Sequence, residues 1–422
     1  MNPDLSRRRF LALSGGAAVA ATVGLSGCGA SGDTLRATWW GDPVLNKAVR
    51  KALDRYEKSK DGAEVRSESL PFDGYWDKLA TLTASRNAPD LVMQAASFLP
   101  EYAEREALLD LDKHGDQLRL DNIDKQIRDF GSVDGTLYAV VAATNALGLI
   151  HNKRLLSDAK VTLPTKPWSW DDLATIARKL RSSLGSNTYG LQDSGGDLIL
   201  FTVFVRDRGK ELYDTAGKIA VTRDDVVDWF TYWDELRDGK AVPAAAVTAQ
   251  MAGQITQSPL VAGKAALGFG WTQDIVTYAS SMKDEVGVVL PPWNARTPGL
   301  WVNAASLWSA SAHTEKPEKA ASLIDFLVND KGAADALGVA LGAPPSAATR
   351  ERLRGKVDET ERLALDFMDT VTAHSRPLNR LWPKGFTALR EEFDRLNQAV
   401  GFGKTSIDSA ADKFFKAAGK DG

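Results

Sequence analysis

The chain has 422 residues, of which 44% are hydrophobic and 25% are charged. This length is more than one hydrophobic core normally serves, so two domains are expected. The formal net charge of −3 argues against nucleic acid or an anionic membrane surface as the main partner.

The first 27 residues have the pattern of an export signal. The run SRRRFL at residues 6–11 is of the twin-arginine type, and the apolar stretch after it is too short to span a bilayer, which needs about 20 residues. Residues 25–28 (LSGC) resemble a lipoprotein box, and Cys28 is the only cysteine. Because two acyl chains anchor a protein stably, we expect an extracytoplasmic protein that is held on the outer face of the cytoplasmic membrane by a lipid on Cys28, with residues 28–33 as its tether.

The first part of the mature chain alternates between strand and helix patterns. Strands are predicted at residues 34–39, 64–70 and 90–93, and helices at residues 44–56 and 75–83. The order β-α-β-α-β predicts a mostly parallel sheet with helices on its faces.

The region around Thr144 and Asn145 departs from this order. Apolar runs at residues 137–143 and 146–150 follow each other with only these two residues between them. The pattern predicts a chain that passes directly from one sheet into another, as at a hinge. The breaker GAPP at residues 342–345 is a second candidate crossing.

Later helices and strands are marked by caps and by apolar spacing. Capping boxes are predicted at Ser169 and Thr222, each with an aspartate three residues later. The helix opened at Thr222 is expected to bury Trp229 and Trp233. Strands are predicted at residues 265–269 and 286–290, and helices at 317–328, 386–396 and 407–414.

Several segments together resemble the extracellular solute-binding proteins of bacterial ABC importers, family 1, in the sugar-binding branch that includes maltose-binding protein. The segments are residues 88–92 (APDLV), 108–111 (LLDL), 147–152 (LGLIHN), 167–173 (PWSWDDL), 262–271 (AGKAALGFGW) and 316–327 (KPEKAASLIDFL). Two departures stand out: residues 138–141 read YAVV where the family usually has Tyr-Gly-Val-Pro, and His151 stands where Tyr is common.

The resemblance implies an α/β fold of two Rossmann-like lobes joined by a hinge, periplasmic-binding-protein-like of type II, with the ligand cleft between the lobes. It assigns residues 34–142 and 306–343 to one lobe, and residues 146–302 and 346–422 to the other. The hinge is expected near residues 143–145, 303–305 and 344–345. The implied function is a non-enzymatic, monomeric receptor that takes no cofactor or metal and delivers a sugar to the permease subunits of an ABC transporter.

Sugars present an apolar face and a ring of hydroxyl groups, so a site for them needs aromatic surfaces beside acids and amides. Ligands of open α/β sheets bind beyond the carboxyl ends of the strands. The candidate ligand-binding residues are Trp39, Trp40, Asp42, Asp73, Gln94, Thr144, Asn145, Asp193, Trp271, Trp301, Asn303 and Trp382.

Two alternatives stay open: an anchored carbohydrate-active enzyme, and a receptor of the same fold for polyamines or peptides. The DSGG sequence at residues 193–196 echoes a protease nucleophile motif but is interpreted as a Gly-rich turn, because the rest of the chain is patterned as α/β. The four His are dispersed without metal-ligand spacing. No phosphate-binding loop is present, so the ATPase is expected to be another polypeptide.

Overall fold

The structure is a computed structural model that describes residues 33–41, 43–250, 255–379 and 381–419. The predicted export signal, Cys28 and Asp42 lie outside the described residues. Among the residues that are described, no helix is both long and apolar enough to cross a membrane.

The strands follow the sequence expectations closely. They are β1 (Leu35–Trp40), β2 (Val65–Leu70), β3 (Leu91–Gln94), β4 (Ser132–Val133), β5 (Thr136–Leu137), β6 (Val140–Asn145), β7 (Leu147–Asn152), β8 (Tyr189–Leu191), β9 (Ala265–Trp271), β10 (Val286–Val289) and β11 (Asn303–Ala310).

The helices surround these strands. They are α1 (Pro43–Glu57), α2 (Phe72–Ala84), α3 (Leu99–Glu104), α4 (Lys125–Arg128), α5 (Lys153–Asp158), α6 (Trp170–Leu184), α7 (Leu198–Asp207), α8 (Arg223–Asp238), α9 (Ala245–Gln250), α10 (Asp274–Ser281), α11 (Pro317–Asn329), α12 (Lys331–Leu337), α13 (Ala347–Arg354), α14 (Glu359–Ala373), α15 (Phe386–Gly401) and α16 (Ile407–Ala418).

Two larger sheets hold nine of these strands, and β4 and β5 form a separate two-stranded sheet. The first has the order β2-β1-β3-β11-β6, and the second has the order β10-β7-β9-β8. β1 pairs in parallel with β2 and β3, as the β-α-β-α-β order predicts, whereas β11 is antiparallel to both β3 and β6. In the second sheet only β8 and β9 are parallel. We call each sheet with its packed helices a lobe.

The contacts of the helices assign them to the two lobes. α1, α2, α11 and α12 pack on or around the first sheet, and α6, α10 and α14 to α16 pack on or around the second. Both predicted capping boxes form, with Ser169 capping α6 and Thr222 capping α8. Trp229 and Trp233 of α8 are fully buried, so their predicted place in the core is confirmed.

The chain crosses between the sheets where the apolar runs meet. β6 ends at Asn145 in the first sheet and β7 begins at Leu147 in the second, with only Ala146 between them. Segment 342–345 comes close to this crossing, because the backbone N–H groups of Thr144 and Ala343 each donate to the carbonyl of the other, at 2.7 and 2.9 Å. Gly342 takes a φ of +116° at this point, which glycine adopts without strain.

Candidate functional site

An aromatic cluster lies at the carboxyl ends of β1 and β3. Trp40, the last residue of β1, has its ring centroid 5.4 Å from Phe72, 5.4 Å from Tyr75 and 5.5 Å from Trp76. Trp76 in turn stacks on Phe98 with centroids 4.0 Å apart. We call these five residues the first-lobe aromatic cluster. Its surface is accessible, since the side chain of Phe72 is 46% exposed.

The two tryptophans of β1 have opposite surroundings. Side chains alternate along a strand, and Trp39 is fully buried with its Nε1 donating to Oδ1 of Asn46 at 2.9 Å. Trp39 therefore belongs to the core and has no surface to offer a solute, contrary to the sequence expectation. Trp40 is the partly exposed member of the pair.

Gln94 closes β3 beside this cluster. Its side chain is fully buried, and neither its Oε1 nor its Nε2 has a hydrogen-bond partner among the described residues. An unpaired buried polar group costs about 1–3 kcal/mol. The Gln94 amide has this unfavourable burial and lies at the carboxyl end of a strand. It is therefore a candidate for a ligand-binding group.

A chain of hydrogen bonds connects three of the predicted residues at the crossings. Nδ2 of Asn303 donates to Oδ1 of Asn145 at 2.9 Å, and Nε1 of Trp301 approaches Oδ1 of Asn303 at 3.4 Å. Thr144 next to them is fully buried, and its hydroxyl donates to the carbonyl of Ala343 at 3.1 Å. The hydroxyl of Thr144 therefore joins the first crossing to the segment at residues 342–345, and its place in the ligand site stays a prediction.

Trp301 and Trp382 come together although 80 positions separate them in the sequence. Their ring centroids are 5.7 Å apart in an edge-on arrangement, and Trp382 also stacks on Phe386 at 4.1 Å. The guanidinium of Arg206 lies 5.5 Å from the centroid of the Trp301 ring. Both tryptophans are buried in this arrangement, so a solute would reach only their edges.

Trp271 is the partly exposed last residue of β9. It is paired with Leu147, and the next residue, Thr272, bonds with Ala146, so Trp271 lies beside the first crossing. The backbone N–H of Trp271 donates to Oδ2 of Asp274 at 2.8 Å. Burial raises the pKa of Asp274 to about 6.

Asp193 forms a buried ion pair with Arg237, and its place in the ligand site stays a prediction. Its carboxylate accepts from Nε and Nη2 of Arg237 at 2.6 and 3.0 Å, and from the backbone N–H of Gly195 at 2.9 Å. The same guanidinium reaches Oδ1 of Asn397 at 2.6 Å. These three bonds fill three of the about four acceptor positions of the carboxylate.

The remaining predictions divide as follows. Asp73 lies in the first turn of α2, and the structure describes its backbone position only. Trp40, Gln94, Asn145, Trp271 and Asn303 lie at strand ends, and the last three are next to the crossings. Sequence reasoning did not name Phe72 and Phe98 and left Trp76 undecided. Their positions in the sequence could have indicated a place at the site, because Phe72 and Trp76 follow the end of β2 and Phe98 follows the end of β3.

This arrangement suits solute binding. Partly exposed rings lie at or shortly after strand ends in both lobes: those of Trp40, Phe72 and Phe98 in the first, and that of Trp271 in the second. The amides of Gln94, Asn145 and Asn303 lie at strand ends of the first sheet. Such rings bind the apolar face of a ligand, while amides hydrogen-bond to its hydroxyl groups.

Known proteins agree with this reading of the fold. An extracellular solute-binding protein of family 1 from Alicyclobacillus acidocaldarius superposes with a TM-score of 0.74 at 26% identity, covering 91% of this chain and 97% of that one. The oligogalacturonide-binding protein of Yersinia enterocolitica, in complex with saturated digalacturonic acid, gives a TM-score of 0.77 at 23% identity over 91% and 97% of the two chains. Lmo0181 of Listeria monocytogenes, in complex with cycloalternan, gives 0.79 at 20% identity over 92% and 98%.

Sequence comparison gives the family. The putative ABC transporter periplasmic-binding protein YcjN of Escherichia coli K12 is 22% identical over 200 residues, which are 44% of this chain and 45% of that protein. The match thus spans less than half the length of that relative. The profile of the family "Bacterial extracellular solute-binding protein" matches residues 51–364. The chain is therefore a member of the bacterial extracellular solute-binding protein family, as its motifs predict.

Proposed function

We propose that this protein is a lipid-anchored extracytoplasmic receptor that binds a sugar or oligosaccharide between its lobes and delivers it to an ABC transporter permease. The observation that carries the proposal is the placement of partly exposed aromatic residues at strand ends in both lobes. Trp40 and its cluster represent the first lobe, and Trp271 represents the second. In the proposed cleft, these aromatic surfaces would contact a flat, hydroxyl-rich solute from both sides.

Amide groups supply the matching polar contacts. Gln94 has two unpartnered atoms, and Asn145 and Asn303 retain hydrogen-bonding capacity beyond the bond that joins them. The proteins of similar fold from Yersinia and Listeria bind saturated digalacturonic acid and cycloalternan, respectively. These relatives favour a sugar over a polyamine or a peptide as the solute.

The proposed mechanism is a population shift. The hinge would run through residues 143–145, 303–305 and 344–345, with lobe boundaries at residues 34–142 plus 306–343 and 146–302 plus 346–422. A solute that touches both lobes binds the closed form more tightly and therefore increases its population. The closed form would then dock on the permease, while the lipid on Cys28 keeps the receptor at the membrane.

The first experiment is a thermal-shift screen of residues 29–422 against monosaccharides, oligosaccharides, polyols, peptides and polyamines. A ligand at a hundred times its dissociation constant adds about 2.7 kcal/mol to the free energy of unfolding. A hit among the sugars supports the proposal. If only amines or peptides stabilise the protein, its family assignment stands, but the proposed solute class is wrong.

The enzyme alternative is tested with the same protein. Incubation with each sugar that binds, followed by chromatography of the products, should show unchanged oligosaccharide. Release of shorter sugars by the wild type would overturn the receptor proposal. Anchoring is tested separately, by comparing metabolic labelling with a tagged fatty acid in the full chain and in its Cys28→Ala variant.

A further inference from the structure

A pocket opens on the second lobe, beside the start of α6. Its volume is about 470 Å³, within the range of roughly 300–1,000 Å³ that small-molecule sites occupy. Its walls include Trp168, Trp170, Asp171, Asp207, Arg208 and Trp293. None of these residues belongs to the candidate site described above.

The pocket is firmly built. The backbones of Trp168 and Trp293 are joined by two hydrogen bonds of 3.2 and 2.9 Å, which fix the segments before α6 and after β10 against each other. The side chain of Ser169 caps α6 between them. The pocket wall is therefore made of segments that mutual hydrogen bonds hold in place.

Asp207 contributes a buried acid to this pocket. Its side chain is 7% exposed and accepts hydrogen bonds from the backbone N–H of Gly299 at 2.6 Å and from Nε1 of Trp170 at 3.3 Å. The backbone N–H of Asn294 adds a longer contact of 3.4 Å. Since a carboxylate has about four acceptor positions, at least one remains for a hydroxyl group in the pocket.

Trp168 contributes an unused donor. It is 6% exposed, and its Nε1 has no hydrogen-bond partner among the described residues. A buried indole N–H that stays unpaired is unfavourable by about 1–3 kcal/mol. A small repositioning of the ring on binding would let this N–H meet an acceptor in the pocket.

The pocket is connected with the candidate site through adjacent residues. Arg206 lies against the ring of Trp301, while Asp207, the next residue, lines the pocket. A second link runs through Trp170, whose ring stacks on Phe269 at 6.0 Å. Phe269 and Trp271 lie two positions apart on β9, and therefore on the same face of the sheet.

The lining indicates the class of ligand. The partly exposed indole of Trp293 beside carboxylates suits a sugar ring, which offers both C–H faces and hydroxyl donors. An anionic sugar is disfavoured, because Asp171, Asp172 and Asp207 outnumber Arg208 in the lining. The guanidinium of Arg208 is also paired with Oδ2 of Asp228 at 2.8 Å.

We propose that this pocket is an outer carbohydrate subsite that receives a neutral sugar unit at the end of a bound oligosaccharide. The proposal rests on the proposed function, since the first units of the same solute would occupy the cleft between the lobes. It specifies the solute further, as an oligosaccharide rather than a monosaccharide.

The test is ¹⁹F NMR of protein labelled with 5-fluorotryptophan, in which each of the 12 Trp residues reports on its own surroundings. Single Trp→Phe variants assign the signals of Trp40, Trp271, Trp168 and Trp293. The probes are glucose and the maltose series to maltoheptaose, together with the corresponding series of β-1,4-linked glucose and xylose. For a series that binds, we expect the Trp168 and Trp293 signals to move with the longer members and not with the monosaccharide.

Affinity provides a second readout by calorimetry. Trp293→Ala is expected to weaken binding of the longest ligand about tenfold and to leave the shortest ligand that binds within about twofold. Phe402→Ala is the matched control, because this exposed aromatic follows α15 and is not part of the pocket lining.

Each outcome separates the two proposals. The signals of Trp40 or Trp271 could move while those of Trp168 and Trp293 stay fixed at every chain length. This result would overturn the subsite proposal and retain the receptor proposal. Equal weakening of short and long ligands by Trp293→Ala would also overturn it. No movement at any of the four tryptophans with any sugar would overturn both proposals.

Discussion

Asn303 and Asn145 join two crossings of the chain through one side-chain hydrogen bond, from Nδ2 to Oδ1, of 2.9 Å. Asn145 ends β6, the last strand before the chain enters the second sheet, and Asn303 begins β11, the strand that returns to the first. The two residues also face each other in the β6–β11 ladder. A solute that competes for either amide therefore acts directly on the place where the lobes are joined.

Asn303→Ala tests this bond. The substitution leaves Oδ1 of the buried Asn145 without its donor, so we expect the free energy of unfolding to fall by about 1–3 kcal/mol. Urea unfolding measures the change. Asn122→Ala is the matched control, because it removes a similar amide bond, to Asn329, that is exposed, and it should cost under about 0.5 kcal/mol. Equal effects of the two variants would contradict the role of the buried bond.

Trp271→Ala tests the aromatic surface of the second lobe. We expect the affinity for a sugar identified in the screen to fall about 30-fold, which corresponds to about 2 kcal/mol for a central aromatic contact. Calorimetry at fixed pH measures the dissociation constant. Phe402→Ala removes a 44% exposed ring elsewhere and should leave the affinity unchanged. If the Trp271 variant binds the sugar with wild-type affinity, Trp271 is not part of the binding site.

Asp193→Ala separates a structural role from a binding role. Removing the acid leaves the buried guanidinium of Arg237 without its main partner, so we expect a loss of about 3–5 kcal/mol in the free energy of unfolding. Asp158→Ala breaks an exposed pair with Arg154 and should cost less than about 1 kcal/mol. If the folded fraction of the Asp193 variant lost affinity while keeping its stability, the structural assignment would be wrong.

Gly342→Ala tests the candidate crossing at residues 342–345. The backbone φ of +116° is strained for alanine, and an added Cβ would lie 2.8 Å from the carbonyl oxygen of Thr144. We expect a loss of about 1–3 kcal/mol in stability, measured by urea unfolding. Gly355→Ala is the control, since a Cβ there meets no atom within 4 Å. A neutral result for both variants would show that the 342–345 segment adjusts freely.

Stability should depend on pH through Asp207. Desolvation by burial raises its pKa to about 7 in the folded protein, against about 3.9 in an unfolded chain. The folded state therefore binds more protons between these values, and this group's contribution to stability decreases as the pH rises from about 4 to about 7. The change is a few kcal/mol at most, because one pKa unit corresponds to about 1.4 kcal/mol.

The pH prediction is measured as a difference. Urea unfolding of the wild type and of Asp207→Asn at several pH values cancels the other titrating groups, including Asp172 and Asp284, whose lowered pKa values act in the opposite direction. The wild type should lose stability relative to the variant as the pH rises. A constant difference across the range would show that the pKa of Asp207 is ordinary.

Much of the fold was predictable from local patterns. The strands at β1 to β3, the caps at Ser169 and Thr222, and the burial of Trp229 and Trp233 follow from side-chain periodicity and from the few residues that can satisfy the first N–H groups of a helix. The two apolar runs around Thr144 predicted a passage between sheets, since no helix could fit between them. The family followed from the order and spacing of short motifs.

The site was only partly predictable, because a strand end specifies an edge and not the direction of each side chain. Trp39 and Trp40 are adjacent in sequence, yet one is in the core and the other is in an aromatic cluster with Phe72 and Trp76. The partner of Asp193 is 44 positions away and the partner of Trp301 is 81 positions away.

The sequence by itself thus determined most of the elements and the family, because these depend on neighbours within a few residues. Only the tertiary structure decided which polar groups are already used and which remain free. Asp193 is neutralised by Arg237, and the hydroxyl of Thr144 is bonded to Ala343, whereas the amide of Gln94 has no partner among the described residues. Hydrogen bonding and burial depend on contacts between distant segments, which no local pattern encodes.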